Sequence, residues 1–273
     1  MKNKITIKDV VITILAVWAC VGIYRIVGRQ ITNLFSNDYI ANFVAQIFFS
    51  ILAILCVHLL KRNDIYHADM KLLKKGWSSA GFEIFLILFI TLLGLGSILN
   101  ASIKGWEILL VIGQCLLVGF SEEALFRGLV QGVFHKYFKE DSLKHVLLAV
   151  FFGGLIFGAT HLTNGLRPEV GLYAAFIQAC VTAFNGMYFG AIYYRTGKNL
   201  WYLMILHGIY DLVAMISAGR FEGTTLENIL AQSGNSGLQG ILVWGTLYMI
   251  ATLVVLRPKK VNPLLVKEED TIL

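Results

Sequence analysis

The chain has 273 residues, 57% of them hydrophobic and only 15% charged, with a mean hydropathy of +0.70. Soluble domains carry about 25% charged residues, so the balance excludes an ordinary soluble protein and points to an integral membrane one. The net charge of +6 does not mark a nucleic-acid surface, because the basic residues flank apolar runs. No polar stretch is long enough to fold apart, so one all-α membrane domain over 1–273 is expected.

Apolar runs near the roughly 20 residues that cross a bilayer occur eight times, at 10–27, 40–60, 81–99, 106–125, 147–162, 170–194, 200–218 and 238–256. The first follows lysines, as a signal peptide would. It lacks a small-residue cleavage site and runs into Tyr24-Arg25, so a retained span is expected. Cys20, Cys56, Cys115 and Cys180 all lie in apolar runs without C-x-x-C spacing, which reads as buried and reduced cysteine. Segment 129–144, LVQGVFHKYFKEDSLK, mixes apolar and charged residues and reads as an interfacial helix. Segment 223–240 is polar and reads as a loop, and Lys267-Glu268-Glu269-Asp270 as a solvated tail. There is no fixed-period repeat.

Lysines and arginines give the orientation. Of the 23, seventeen fall before the first span or in the connections around 61–75, 136–144, 195–198 and 257–267; Arg25, Arg29, Lys104, Arg167 and Arg220 fall at the opposite ends. A plasma-membrane protein with both termini cytoplasmic is therefore expected.

Within this apolar chain, Ser121-Glu122-Glu123-Ala124-Leu125-Phe126-Arg127-Gly128 stands out. A charge near the bilayer centre costs about 2.5–3.5 kcal/mol on insertion scales, so intramembrane ionisable groups are functional candidates. Glu123 and Arg127 are i,i+4 and can pair on one face. Glu122 lies about 100° away round the helix and is left for other work. Two further polar intrusions follow. Phe157 and His161 end the fifth span, with Phe157 on the imidazole's face, and His207 and Asp211 are i,i+4 in the seventh. His58, His67, His135 and His145 lie in polar or interfacial stretches and read as surface residues.

Each group has a structural alternative: a locking ion pair for Glu123–Arg127, a packing pair for His207–Asp211, an interhelical hydrogen bond for His161 or Glu122. Four costly groups on three spans are more simply explained by one pocket. There a carboxylate and an imidazole can deprotonate water, and a second imidazole can stabilise an oxyanion. Alternatively, two histidines and a carboxylate can hold zinc with one position left for water. H-E-x-x-H, H-x-x-E-H and G-x-S-x-G are all missing from the sequence, which leaves hydrolysis by activated water as the reaction class. A proton relay in a transporter and a non-catalytic immunity or scaffold protein are the competing classes. The transporter would favour inverted repeats with broken helices, which the sequence does not show.

E-E-x-x-x-R (Glu122, Glu123, Arg127), F-x-x-x-H (Phe157, His161) and H-x-x-x-D (His207, Asp211), in this order on successive apolar segments, resemble the CPBP family. This is the CAAX prenyl protease and bacteriocin-processing group of intramembrane proteases, also called ABI proteins. The resemblance covers 106–218, the expected catalytic core. It implies a helix bundle with a conical cavity open to the cytoplasm and to lipid. Glu122 and His161 would activate water, His207 and Asp211 would bind the carbonyl oxygen or complete the site, and Glu123, Arg127 and Phe157 would support them. Its implied partners are lipid and a peptide or membrane-anchored substrate, prenylated CAAX-type or bacteriocin- or pheromone-like. The family carries a metalloprotease label, which makes Glu122, His161, His207 and Asp211 candidate zinc ligands. Asp where many members have Asn suits metal, whereas the lack of a tight histidine pair favours a metal-free route, which is preferred here.

Depth sets one further expectation. At 1.5 Å per residue, Glu122 lies about 22 Å from the external end of its span, but a fifth span starting at Lys144 would leave His161 about 25 Å from the cytoplasmic side. The fifth span is therefore expected to begin near Val150, after an interfacial helix.

Overall fold

A computed structural model describes residues 5–167, 170–232 and 237–265. Among these the chain is helical throughout, with no strand. The long elements are α1 (Ile7–Thr32), α2 (Asp38–Leu59), the short α3 (Met70–Gly76), α4 (Gly81–Leu93) and α5 (Leu95–Leu99). Then come α6 (Gly105–Glu122), a π-helical stretch (Glu123–Gln131), α7 (Gly132–Phe138), α8 (Leu143–His161), α9 (Gly171–Arg195) and α10 (Leu200–Ser217). Short α11 (Leu226–Gln232) and α12 (Gly237–Gly240) precede a π turn (Ile241–Gly245) and α13 (Thr246–Val255).

Seven of the runs are long and apolar enough to cross a membrane: Ile7–Thr32, Asp38–Leu59, Gly105–Phe138, Leu143–Leu166, Gly171–Arg195, Leu200–Ser217 and Gly237–Val255. The eighth expected span, 81–99, belongs to a shorter apolar helix, Trp77–Leu93. It breaks at Gly94, where a Cβ would meet Ser217 Oγ at 2.7 Å. Side chains such as Ile12, Leu15, Leu88, Leu109, Phe176 and Leu253 remain exposed. Apolar surface spread round a bundle in this way fits hydrocarbon rather than water. The protein is integral to the membrane.

Local sequence explains where helices start. Asn37 Oδ1 accepts from Tyr39 N and Ile40 N, each at 3.0 Å, and Asn199 Oδ1 accepts from Tyr202 N at 3.0 Å. Ser142 Oγ accepts from His145 N at 3.3 Å. Such caps satisfy amides that the first turn leaves without partners. The Ser142 cap starts α8 at Leu143, so the expectation of a start near Val150 is corrected.

Segment 129–144 does not form a separate surface helix: it continues the helix before it and is buried in the bundle through His135. The helix that begins at Gly105 runs on to Phe138, and Leu129, Val130, Gln131, Val133, Phe134 and His135 are buried. A single sequence of mixed polarity cannot distinguish a bilayer surface from a polar core, and here the polar groups have protein partners. Gln131 Nε2 lies 3.0 Å from His135 Nε2 and donates to Gly190 O at 2.9 Å. His135 Nδ1 is 3.1 Å from Glu140 Oε1, which accepts from Lys198 Nζ at 2.6 Å. His135, expected at the surface, is 1% exposed. His58 and His67 are exposed as expected, and His145 pairs with Asp141 at 2.5 Å. In the polar loop 223–240, Leu226–Gln232 forms α11 rather than coil, while 233–236 and the tail at 267–270 lie outside the described residues. All four cysteines are free; Cys180 is only partly buried.

Two glycine contacts set the geometry of the core. A Cβ on Gly119 would meet Met204 O at 2.3 Å, and one on Gly208 would meet Leu116 Cα at 2.9 Å, so α6 and α10 run backbone to backbone. On the other side, Cβ atoms at Gly154 and Gly158 would meet Met187 N at 2.7 Å and Ala179 O at 2.5 Å, which seats α8 on α9. Small residues allow this approach, and in lipid close packing replaces the hydrophobic drive between helices. At the lysine-poor end Arg220 Nη1 reaches Asp38 Oδ2 at 2.5 Å, with its guanidinium 4.2 Å above the Tyr39 ring. That clamp ties α2 to the exit of α10.

Candidate active site

The α6–α10 contact carries Glu122 and Glu123 to His207. One turn beyond Gly119, Glu123 Oε1 accepts from His207 Nδ1 at 2.8 Å, and Glu123 Oε2 lies 3.3 Å from Arg127 Nε. Both members of that ion pair are fully enclosed. The Arg127 guanidinium sits over the Phe157 ring at 4.5 Å and near Phe189 at 6.0 Å, an arrangement of cation on aromatic face. The i,i+4 pair read from sequence is therefore present, and it does a second job: the same carboxylate fixes the His207 ring. That contact was not legible in the sequence, since Glu123 and His207 are 84 residues apart.

His207 points its other nitrogen at two more carboxylates. Nε2 is 3.5 Å from Asp211 Oδ2 and 3.8 Å from Glu122 Oε2. Glu122 and Asp211 side chains keep 22% and 23% exposure, against none for Glu123. Adjacent positions on one helix thus divide into one carboxylate that water can reach and one that it cannot.

His161 ends α8 with Nδ1 3.2 Å from Phe157 O. A carbonyl can only accept, so Nδ1 carries the proton and the Nε2 lone pair is available as a base. The Phe157 ring stands edge-on to both imidazoles, with centroids 5.1 Å from His161 and 6.4 Å from His207. Phe157 therefore touches both histidines and the Arg127 cation.

These groups line one cavity of about 680 Å³, whose wall includes Glu122, Phe157, His161, His207 and Asp211. All four sequence-derived site residues are brought together; Glu123 and Arg127 lie behind the wall. Beside Glu122, Tyr24 Oη donates to Gln46 Oε1 at 3.3 Å and Gln46 Nε2 donates to Ser121 Oγ at 2.9 Å, a polar seam joining α1, α2 and α6. Arg25, Asn185, Tyr210 and Tyr248 also line the cavity and were not singled out from the sequence. Nor was Glu83, a fully buried carboxyl in α4 with no hydrogen-bond partner for either oxygen among the described residues. It interacts electrostatically with His207 and Asp211. The signal for Glu83 was available: one carboxylate in an apolar helix, the same anomaly that marked Glu122.

Among the described residues no three His, Cys, Asp or Glu side chains are grouped to hold an ion, and His207 Nδ1 is engaged by Glu123. The chemistry that follows uses side chains alone.

No curated protein matches the chain. Residues 104–213, which contain all seven motif residues, match the family model described as Type II CAAX prenyl endopeptidase Rce1-like. Over residues 104–213 this match and the resemblance carried by the three motifs agree.

Proposed function

We propose that this protein is an intramembrane endopeptidase that hydrolyses a peptide bond with water activated between Glu122 and His161. The carrying observation is the convergence of Glu122, His161, His207 and Asp211, from three helices, on one cavity. A volume of about 680 Å³ is within the usual range for ligand pockets.

Glu122, the carboxylate that water reaches, or His161 Nε2 takes a proton as the water oxygen bonds to the scissile carbonyl carbon. The carbonyl oxygen becomes an oxyanion facing His207, which as an imidazolium donates from Nε2 while its Nδ1–H is held by Glu123. Preorganised donors of this kind are typically the largest catalytic contribution. Collapse breaks the carbon–nitrogen bond, and the proton taken from water passes to the leaving amine. Asp211 orients His207 from the cavity side, since an ionised carboxylate cannot donate to an oxyanion.

The substrate is a peptide or membrane-anchored protein, CAAX-type or bacteriocin- or pheromone-like. The seventeen basic residues of one set of connections in the sequence, against five in the other, favour cytoplasmic termini. Purified protein in detergent or nanodiscs, offered a peptide library, tests the reading. Cleavage by wild type and none by Glu122→Ala is expected; equal cleavage by both would overturn it.

A further inference from the structure

His161 runs into a short 3-10 turn, Leu162–Leu166. Residues three apart lie nearly above one another in such a turn, so Asn164 falls on the face of His161, and both line the cavity. The turn is pinned at both ends: Thr163 Oγ1 donates to Thr160 O at 2.6 Å, and Arg167 N donates to Asn164 O at 3.0 Å. A Cβ on Gly165 would meet Leu172 Cα at 3.1 Å and Ala175 Cβ at 3.2 Å, so glycine lets the turn lie close on the start of α9. The register this sets brings Gln178 to Asn164, whose Nδ2 donates to Gln178 Oε1 at 2.7 Å. Asn164 is 2% exposed, yet its Oδ1 has no hydrogen-bond partner among the described residues. Gln178 lines the same cavity, and Thr182 and Asn185 follow it at i+4 and i+7, a polar stripe about 10 Å long on a membrane helix. Asn185 is hydrogen-bonded to Tyr248.

A helix lock alone needs only the bond from Nδ2 to Oε1 and could sit anywhere on the seam between α8 and α9. Here the pair borders the cavity beside His161, and it leaves one amide oxygen buried and unsatisfied, which is costly unless something meets it. Paired as they are, Asn164 offers that oxygen and Gln178 the donors of its Nε2. An acceptor beside a donor is the complement of the N–H and C=O that an extended chain presents along its length. We propose that Asn164 and Gln178 form a backbone-binding subsite for the peptide substrate, in which a substrate N–H donates to Asn164 Oδ1 and a substrate carbonyl accepts from Gln178 Nε2. This rests on the peptidase reading above. The subsite holds an extended segment against α9 with its scissile bond toward His161 and Glu122, and it selects main chain rather than any one side chain. Proline is excluded at the residue whose N–H is bound, because proline has none.

Binding tests this apart from cleavage. The probe is a fluorescein-labelled copy of the peptide best cleaved from the library above or, if none is cleaved, of the one best retained by Glu122→Ala protein. Its Kd is measured on Glu122→Ala protein in nanodiscs. Each backbone amide other than the scissile one is replaced in turn by an ester, which removes one N–H and keeps every side chain. One position is expected to lose about tenfold in affinity, as for one buried hydrogen bond. Adding Asn164→Leu should weaken the all-amide peptide by a similar factor and cancel the penalty at that position. Gln178→Leu, which frees the Asn164 side chain, should do the same and serves if the first variant does not accumulate. An ester series without a sensitive position, a penalty that persists unchanged in the variants, or a library from which nothing is retained would overturn the subsite. The two readings fail separately. A peptide that binds with the expected pattern but is never cleaved counts against the peptidase alone, whereas a cleaved peptide whose esters all bind as well as the amide counts against the subsite alone.

Discussion

Exchanging Glu123 for Gln removes one charge from a fully enclosed pair and leaves the Arg127 cation with nothing to balance it. The guanidinium is 0% exposed, 3.3 Å from the carboxylate it would lose, and its three nitrogens have no hydrogen-bond partner among the described residues. The aromatic faces of Phe157 and Phe189 return about 2 kcal/mol. Breaking a buried pair by removing one partner costs roughly 3–5 kcal/mol, because an uncompensated charge stays behind. The pair therefore decides stability, and at 1.4 kcal/mol per tenfold the folded-to-unfolded ratio falls by two to nearly four orders of magnitude. The double variant Glu123→Gln/Arg127→Met removes the stranded cation, and replacing both partners by groups of similar volume is often neutral. Chemical unfolding in mild detergent should show the single variant destabilised and the double variant within about 1 kcal/mol of wild type. Cleavage should behave differently. Both variants lose the carboxylate on His207 Nδ1, so both should lose activity on the order of 10²-fold, as for loss of an oxyanion donor. A single variant as stable as wild type, or a double variant with full activity, would refute the shared role of Glu123.

Glu122→Gln should abolish cleavage while leaving the unfolding transition near that of wild type, because this carboxylate faces the cavity and locks no partner closer than 3.8 Å; retained turnover would remove Glu122 from the chemistry. Gly119→Ala should push α6 away from α10, since its Cβ would lie 2.3 Å from Met204 O. Its activity should fall at least tenfold, whereas Gly22→Ala, which meets nothing within 4 Å, should leave cleavage unchanged; equal activities in the two variants would show that the backbone contact does not position the site. Exhaustive chelation should leave cleavage within twofold, given that no three donors are grouped, and stoichiometric metal in purified protein, with activity lost on chelation and restored by zinc, would defeat the metal-free route.

The membrane character, the approximate helices and the seven motif residues were all legible in the sequence, and for one reason. In a chain with so few charges, each ionisable group inside an apolar run is costly and therefore conspicuous. Periodicity also gave the Glu123–Arg127 pair, because i,i+4 neighbours meet within a single helix whatever surrounds it. Periodicity was of no use for 129–144, where the same mixture of apolar and polar residues fits a bilayer surface or a polar core. Partners far along the chain, Gly190 for Gln131 and Lys198 for Glu140, decided in favour of the core. Gly128 against Ile65 and Leu200 is likewise a contact between segments 63 and 72 positions apart in sequence. So, too, with His207: its spacing to Asp211 follows from helix geometry, but its anchoring carboxylate lies on α6, reached only because Gly119 and Gly208 bring two backbones together. Local spacing fixes which side chains share a helix face, and only close packing between helices fixes which faces meet.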